Sequence, residues 1–107
     1  MVQNPFDDEI RVGEVLRAEP FPETNKPEMV KLWIDLGERE IRSAAQLGYN
    51  HDPEELPGRQ VLCATTLGTV NVAGFESEAL TVCVPDEDDR PVLVEPDREV
   101  PLGGLLF

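Results

Sequence analysis

The chain is 107 residues long, a length at which one domain can bury a modest core, so residues 1–107 are expected to form a single domain. No apolar stretch approaches the roughly 20 residues that span a bilayer. Met1 to Asp8 lack the basic start and apolar segment of a secretory leader, which predicts a cytoplasmic protein without a membrane partner. The formal net charge of −13 excludes strong electrostatic attraction to nucleic acid or anionic membranes at low ionic strength.

Turn-forming residues divide the chain into short segments, a spacing typical of all-β domains. Ile10 to Glu19 is predicted as the first strand, with a bulge at Gly13 where the apolar alternation changes register. Val30 to Leu36 alternates apolar and polar residues, which predicts a second strand with one buried face. A tight turn at Gly37 then leads into a third strand over Glu40 to Gln46.

A short helix is predicted after the third strand. Asp52 can cap its start, Pro53 suits its first position, and Glu55 is placed to complete a capping box. His51 is the only histidine and lies beside this helix start, so a surface or capping role is favoured over general-base chemistry. A site with several histidine ligands is excluded for the same reason.

Two central strands and one short strand are expected in the second half of the chain. Arg59 to Leu67 and Glu78 to Val84 are apolar on both faces and are predicted as central strands, whereas Pro91 to Glu95 is predicted as a short strand near an edge. Three strands, one short helix between strands three and four, and two further strands are the order of the five-stranded OB-fold barrel. A short C-terminal extension follows, and periodicity alone also allows an SH3-like barrel.

Catalytic chemistry is not indicated. Cys63 and Cys83 lie in apolar runs and are interpreted as buried strand residues in a reducing compartment, with a cross-strand disulfide or a reactive thiol as the alternatives. Asp86 to Asp89 lack the ligand spacing of a calcium loop and are interpreted as a solvated acidic turn. Because no nucleophile elbow, phosphate loop or GxGxxG motif occurs either, we expect no enzyme activity, no metal site and no cofactor.

Polar and aromatic side chains on and around the second and third strands are the candidate ligand contacts. Five segments of the chain resemble successive blocks of the CsaA and tRNA-binding-domain family, and the resemblance covers roughly residues 6–104. These segments are DEIRVGEVLRAEPFPE (Asp8 to Glu23), VKLWIDLGE (Val30 to Glu38), IRSAAQ (Ile41 to Gln46), PEELPGRQV (Pro53 to Val61) and VAGFESEAL (Val72 to Leu80). The resemblance implies a non-catalytic, homodimeric OB-fold protein that binds tRNA or, in CsaA, unfolded and exported polypeptides.

The resemblance gives the candidate residues a role in binding RNA. The family keeps a serine at Ser43, a glutamine at Gln46 and a glycine and serine at Gly74 and Ser77, and their polar groups can hydrogen-bond a splayed base or a peptide backbone. The hypothesis is a tRNA-binding site that contains Lys31, Trp33, Arg42, Ser43, Gln46, Tyr49 and Ser77.

Basic residues that CsaA relatives carry are missing from this chain. The relatives place Lys-Arg where Tyr49 and Asn50 stand, and two basic residues within the stretch that is uncharged here from Thr66 to Asn71. Each lost cation removes a phosphate contact, although this electrostatic contribution is small at high salt in any case. With 22 acidic residues and only two lysines, the chain is interpreted as adapted to a salt-rich, halophilic cytoplasm, where stacking and hydrogen bonds would carry binding.

Two other functions remain open. An export chaperone would bind unfolded polypeptide through the apolar residues Leu67, Val70 and Val72, and an accessory subunit would deliver RNA to an aminoacyl-tRNA synthetase. The apolar C-terminus, from Leu102 to Phe107, would be exposed on a monomer of this size, which predicts a homodimer.

Overall fold

The computed structural model describes residues 6–107, so the expectation for the N-terminal leader falls largely on residues outside the described range. The chain is nearly all β-structure, with two short 3-10 turns between the third and fourth strands. The elements are β1 (Ile10–Pro20), β2 (Val30–Asp35), β3 (Glu40–Ala45), 3-10 turns at Leu47–Tyr49 and Pro53–Glu55, β4 (Gln60–Ala64), β5 (Val70–Val72), β6 (Phe75–Ser77), β7 (Leu80–Thr81), β8 (Cys83–Pro85) and β9 (Pro91–Leu93).

Five antiparallel strands form the main sheet in the order β3-β2-β1-β4-β7. β1 is long and pairs with two neighbouring strands: its first half pairs with β4 and its second half with β2. The register shift in β1 falls between Val15 and Arg17. The predicted bulge at Gly13 is therefore wrong, since pairing with β4 continues without interruption from Ile10 to Glu14.

Close packing explains the glycine at position 13. A Cβ atom built there would lie 2.4 Å from Cγ2 of Ile34, so only glycine lets β1 and β2 approach this closely inside the barrel. Its neighbour Val12 points to the opposite side of β1 and is covered by the C-terminal segment. Val12 also exchanges backbone hydrogen bonds with Gly103 and Gly104. The apolar alternation in β1 thus changes because two different layers cover its two faces.

The sheet curls until β3 and β7 meet, which gives the nearly closed OB-like barrel that was predicted. Ser43 joins the two edges: its hydroxyl donates to the carbonyl of Ala79 and contacts the Thr81 hydroxyl, both at 2.9 Å. The carbonyl of Arg42 accepts the backbone N–H of Glu78 at 2.8 Å. The barrel interior is filled by buried side chains from β1 to β4 and from the segment between β3 and β4, including Val15, Val30, Leu32, Ile34, Ile41, Leu47, Leu56, Val61 and Cys63.

The second half of the barrel differs from the prediction. The predicted strand over Arg59 to Leu67 is confirmed as central but is shorter, because β4 ends at Ala64. The predicted central strand from Glu78 to Val84 is wrong. It is divided at Val82 into β7 and β8, since the Val82 N–H bonds to Leu62 of β4 while its carbonyl accepts the N–H of Val94. The chain therefore changes partners there, and Leu80 and Val84 are 55% and 50% exposed.

The predicted helix is a single 3-10 turn, Pro53–Glu55. Asp52 caps it as expected, accepting the backbone N–H of Glu54 on Oδ1 at 3.0 Å. Glu55 bonds through its own N–H to the Asp52 carbonyl rather than through its side chain, so the capping box is replaced by a backbone bond. His51 is half-buried, and its Nε2 accepts the N–H of Leu93 at 3.2 Å. It therefore links the turn to β9 rather than serving as a cap.

The segment treated as an uncharged loop forms a hairpin that sequence analysis missed. β5 and β6 pair antiparallel, with Val70 opposite Ser77 and Val72 opposite Phe75. Ala73 and Gly74 connect them with φ angles of 47° and 87°, the left-handed geometry of a two-residue hairpin turn. This hairpin lies beside β3, where the Ala44 N–H donates to the Ser77 hydroxyl at 3.1 Å.

Both cysteines lie in strands and are free thiols. Cys63 is buried in β4 and Cys83 is half-buried in β8. Burial raises the pKa of the Cys63 thiol to about 12. The acidic turn joins β8 and β9. The Asp86 carboxylate accepts the backbone N–H of Arg90, the side-chain amide of Asn50 and the backbone N–H of Asp88, and these hydrogen bonds lower its pKa. Within residues 6–107 no helix is long and apolar enough to cross a membrane, and no group of three or more potential ligands is arranged around a metal position.

Candidate nucleic-acid interface

The outer face of β1, β2 and β3 carries a row of cationic and aromatic side chains. Arg17, Trp33 and Arg42 lie directly opposite one another across the three strands. The irregularity at Leu16 decides this arrangement, since it shifts the register so that both Glu14 and Arg17 face outward. Sequence alternation alone would have placed them on opposite faces.

An aromatic cluster lies under these cations. Trp33 meets Phe75 edge to face, with ring centroids 5.5 Å apart, and Phe21 meets Phe75 in the same way at 5.7 Å. The β5–β6 hairpin supplies Phe75, and the start of the β1–β2 loop supplies Phe21. Phe21 and Phe75 are buried, whereas Trp33 is half-buried. We call this surface the basic–aromatic face; it consists of Arg17, Phe21, Lys31, Trp33, Arg42 and Phe75.

Each cation of the face lies over a ring. The Arg17 guanidinium is 4.2 Å from the Trp33 ring centroid, Lys31 Nζ is 4.6 Å from that of Phe21, and the Arg42 guanidinium is 5.4 Å from that of Phe75. Such contacts stabilise the arrangement by about 0.5–1 kcal/mol each at exposed sites. They also hold three of the nine basic residues on one face of a chain whose net charge is −13.

Two of these cations have acidic partners. Arg17 bonds to Glu19, and Arg42 Nε lies 3.6 Å from a carboxylate oxygen of Glu78. Lys31 forms no ion pair within residues 6–107. The side chains of Arg17 and Arg42 are 60% and 42% exposed, so their guanidinium planes remain open to a ligand. An exposed guanidinium stacked on tryptophan is a surface on which an unpaired base can stack.

A row of carboxylates borders the face on one side. Glu14, Asp35 and Glu40 lie directly opposite one another on β1, β2 and β3, one outward position beyond the row of Arg17, Trp33 and Arg42. Like charges opposed in this way destabilise a sheet. Asp35 Oδ1 accepts the N–H of Gly37 at 2.8 Å, and none of the three forms an ion pair in the described part of the chain.

Three of the predicted RNA contacts lie on this face: Lys31, Trp33 and Arg42. Ser43 does not, because it is fully buried in the barrel and its hydroxyl is occupied by Ala79 and Thr81. Its assignment as a ligand contact is therefore corrected to a structural role. Alternation explains the difference, since Ser43 follows Arg42 by one residue and so points to the other side of β3.

The other three predicted contacts also have partners in the fold. The Gln46 amide donates to the Pro27 carbonyl at 3.1 Å, which ties the end of β3 to the β1–β2 loop. The half-buried Ser77 hydroxyl accepts from Ala44. Tyr49 lies under Arg90, whose guanidinium is 4.4 Å from the ring centroid, so it belongs to the β8–β9 side of the barrel.

Sequence reasoning missed Arg17, Phe21 and Phe75. Phe75 had a usable signal, because an aromatic residue directly after Ala73 and Gly74 suits the strand that leaves a hairpin turn. Phe21 stands between two prolines, a pattern that gave no indication of burial. Arg17 had no usable signal, since its orientation depends on the irregularity at Leu16.

A second concave surface lies between the hairpin and the barrel. It has a volume of about 260 Å³ and is predominantly apolar. Two of the three predicted peptide contacts, Leu67 and Val70, are 54% and 62% exposed at this groove, and Val72 contributes to its wall. Ala44, Leu80 and Lys26 also line it.

The structure is a small OB-like barrel with cations and aromatic rings on the outer face of its second and third strands. This is the architecture of OB-fold domains, a class that binds oligonucleotides or oligosaccharides on that face. Residues 10–104 match the family model described as a putative tRNA-binding domain. The chain therefore belongs to the tRNA-binding-domain family.

The chain is similar to methionine–tRNA ligases and to CsaA chaperones of known structure. The chain is 36% identical over 106 residues to the methionine–tRNA ligase of Methanococcoides burtonii, a match that covers 94% of this chain but only 15% of the ligase. Among solved structures, the CsaA chaperone of Bacillus anthracis is 35% identical with a TM-score of 0.81, over 94% of this chain and 90% of that one. The CsaA chaperone of Picrophilus torridus is 29% identical with a TM-score of 0.85, and the match covers both chains completely.

Proposed function

We propose that this domain is a non-catalytic cytoplasmic module that binds tRNA through the basic–aromatic face. The Arg17 guanidinium stacked 4.2 Å above Trp33 is the observation that carries the proposal, because it presents a flat cationic surface to solvent. A base can stack on that surface while Lys31 and Arg42 stay close to the phosphates on either side. Family membership and the methionine–tRNA ligase relatives support tRNA as the ligand.

Stacking rather than charge is expected to provide most of the binding free energy. The face holds three cations on a protein with a net charge of −13, so neutralising many phosphates is not available to it. A protein that contacts 6–10 phosphates loses roughly 10³–10⁵ in affinity between 50 and 200 mM salt. This domain should show a much shallower dependence, because stacking on aromatic and guanidinium planes is only weakly screened.

Trp33→Ala tests the proposal, measured as tRNA affinity by fluorescence anisotropy at high salt. We expect a loss of about 1–3 kcal/mol, the usual cost of removing a base-stacking ring. Tyr49→Ala is the matched comparison, because Tyr49 is also half-buried under an arginine but lies outside the face. A loss with Tyr49→Ala and none with Trp33→Ala would move the site to the β8–β9 side and contradict the proposal.

A second candidate function is polypeptide binding in the groove beneath the hairpin. The observation that favours it is the groove itself, of about 260 Å³, which is lined by the exposed apolar side chains of Leu67, Val70 and Leu80. Such an exposed apolar surface on a small domain is typical of an interaction site. The CsaA chaperone structures support the same candidate.

The two candidates are separable because they use different residues. Val70→Asp places a charge in the groove and should abolish suppression of aggregation of a denatured client protein, while leaving tRNA affinity within about twofold, since surface substitutions away from a site have little effect. Trp33→Ala should show the reverse pattern. A single variant that removed both activities without unfolding the domain would refute the separation.

We also propose that the domain is a homodimer that pairs through its C-terminal segment. Phe107 is 77% exposed and Leu105 38% exposed, and together with Val12 and Leu106 they line an apolar cavity of about 320 Å³. A two-fold interface would bury this patch. Phe107→Ser should lower the dimer fraction in sedimentation at high salt, whereas Leu67→Ser, an equally polar change outside the patch, should not.

A further inference from the structure

The outer surface of β1 to β3 changes sign abruptly along the strands. On β2 the outward side chains are Lys31, Trp33 and Asp35, and each stands two residues from the next, about 7 Å along the strand. The cross-strand neighbours of Trp33 are both arginines, and those of Asp35 are both glutamates. One outward position therefore separates the basic–aromatic row from a row of three carboxylates.

We call Glu14, Asp35 and Glu40 the carboxylate row. No contact within the described part of the fold explains why all three positions carry a negative charge. No cation within residues 6–107 pairs with any of the three, and their mutual repulsion opposes folding. Asparagine at position 35 would keep the acceptor oxygen that the Gly37 N–H uses. The charges themselves are thus dispensable for structure, yet they adjoin the face that we propose for RNA.

We propose that the carboxylate row is a specificity-determining boundary that restricts the basic–aromatic face to an unpaired RNA strand. This inference rests on the proposed function. An unpaired strand has one phosphate backbone, which can follow Arg17, Lys31 and Arg42 while its bases stack. A duplex has two backbones and no free base faces, so placing one backbone on the cations brings the other over the carboxylates.

The repulsion has a range that matches this geometry. At an ionic strength of about 0.1 M the Debye length is about 10 Å, so a second backbone held over the carboxylates is repelled, whereas the phosphates of a single strand, on the cation row roughly 7 Å away, are repelled less. At about 1 M it falls to about 3 Å and the rows become independent. The boundary should therefore discriminate strongly at low salt and weakly at high salt.

The test compares two triple variants with the same change in charge. The row variant carries Glu14→Gln, Asp35→Asn and Glu40→Gln. The control carries Glu54→Gln, Glu55→Gln and Asp97→Asn, which are exposed residues on the 3-10 turn and the C-terminal part of the chain. The probes are a short single-stranded RNA and a duplex of the same sequence. Affinity is measured at about 1 M KCl and at the lowest salt in which circular dichroism shows every variant folded.

We expect the row variant to raise duplex affinity on the order of tenfold at low salt, because each nearby carboxylate contributes roughly a two- to threefold repulsion in water. Its effect on the single strand should be within about threefold, and the difference should shrink at high salt. The control should raise both affinities by the same small factor.

An unchanged ratio of single-strand to duplex affinity in the row variant, or an equal change of that ratio in the control, would overturn the boundary while leaving the proposed function intact. If wild type and Trp33→Ala bind the single strand equally well, the proposed function fails and the boundary fails with it.

Discussion

The two faces of β2 and β3 have opposite characters although they belong to the same short strands. Leu32 and Ile34 point into the barrel and are completely buried, whereas Lys31 and Trp33 alternate with them and face outward. On β3 the same alternation separates buried Ser43 from Arg42. Two successive residues of one strand can therefore have different roles, because one packs inside the barrel and the next is available to a ligand.

This contrast shows that residue type is a poor guide to function where a polar side chain has a structural task. A serine in a binding-domain strand suggests a ligand contact, yet Ser43 closes the seam between β3 and β7, where backbone pairing is incomplete. The outer face is different, because its charges and rings have no comparable task in closing the barrel. Inner substitutions should lower stability without changing the affinity of the folded protein, whereas outer substitutions should act mainly on binding and change stability only slightly.

The largest expected effect is on the inner face. Leu32→Ala should lower the free energy of unfolding by about 2–5 kcal/mol, because it removes a fully buried side chain and leaves a cavity. Urea denaturation at high salt measures this change. The folded fraction should still bind tRNA with unchanged affinity, and a loss of affinity in fully folded protein would break the distinction between the two faces.

Ser43→Ala should have a smaller effect of the same kind. The substitution leaves the buried Thr81 hydroxyl without one of its partners, which costs about 1–3 kcal/mol. Thermal melting measures the loss, and tRNA affinity should not change. If Ser43→Ala instead weakened tRNA binding in a protein of unaltered stability, the hydroxyl would be a ligand contact after all.

Salt should act mainly on the outer face. Repulsion among carboxylates such as Glu14, Asp35 and Glu40 weakens as salt rises, so the melting temperature should increase from low-salt buffer to molar KCl. Neutralising these three should remove about 0.5–1 kcal/mol of that dependence, in line with the cost of opposed like charges. A melting temperature that does not respond to salt would contradict the interpretation of the chain as salt-adapted.

The smallest effect concerns protonation of His51, whose ring accepts a hydrogen bond from Leu93 of β9. Burial, followed by the nearby Arg59, lowers the pKa of His51 below its usual value of 6.5, although Glu95 opposes the shift. Because the unfolded chain binds the proton more readily, stability should be complete above about pH 6.5 and fall as the pH drops below it. Protonation also removes the acceptor for the Leu93 N–H.

An NMR titration of the His51 ring should show a pKa below that of an unfolded peptide, and urea unfolding between about pH 7 and pH 5 should show the loss of stability. His51→Gln should flatten that dependence. An equal slope in the variant would assign the effect to carboxylates, which titrate at lower pH.

The sequence determined by itself those features that depend on local pattern. The alternation from Val30 to Leu36 set the faces of β2, the turn at Gly37 led into β3, and Asp52 with Pro53 began the short turn before β4. Steric and hydrophobic preferences act over a few residues, so these elements were predictable. The order of the strands, together with the family resemblance, then identified the barrel.

Only the tertiary structure decided which side chains share the basic–aromatic face. Arg17 joins it because β1 changes register where it passes from β4 to β2, and Phe75 joins it because the hairpin folds back onto the barrel. Ser43 is not part of this face, because its hydroxyl points into the barrel and bonds to Ala79 and Thr81 where β7 approaches β3. Each outcome depends on contacts between residues 16 to 42 positions apart in the chain. Such contacts arise only when the barrel closes, and no local pattern encodes them.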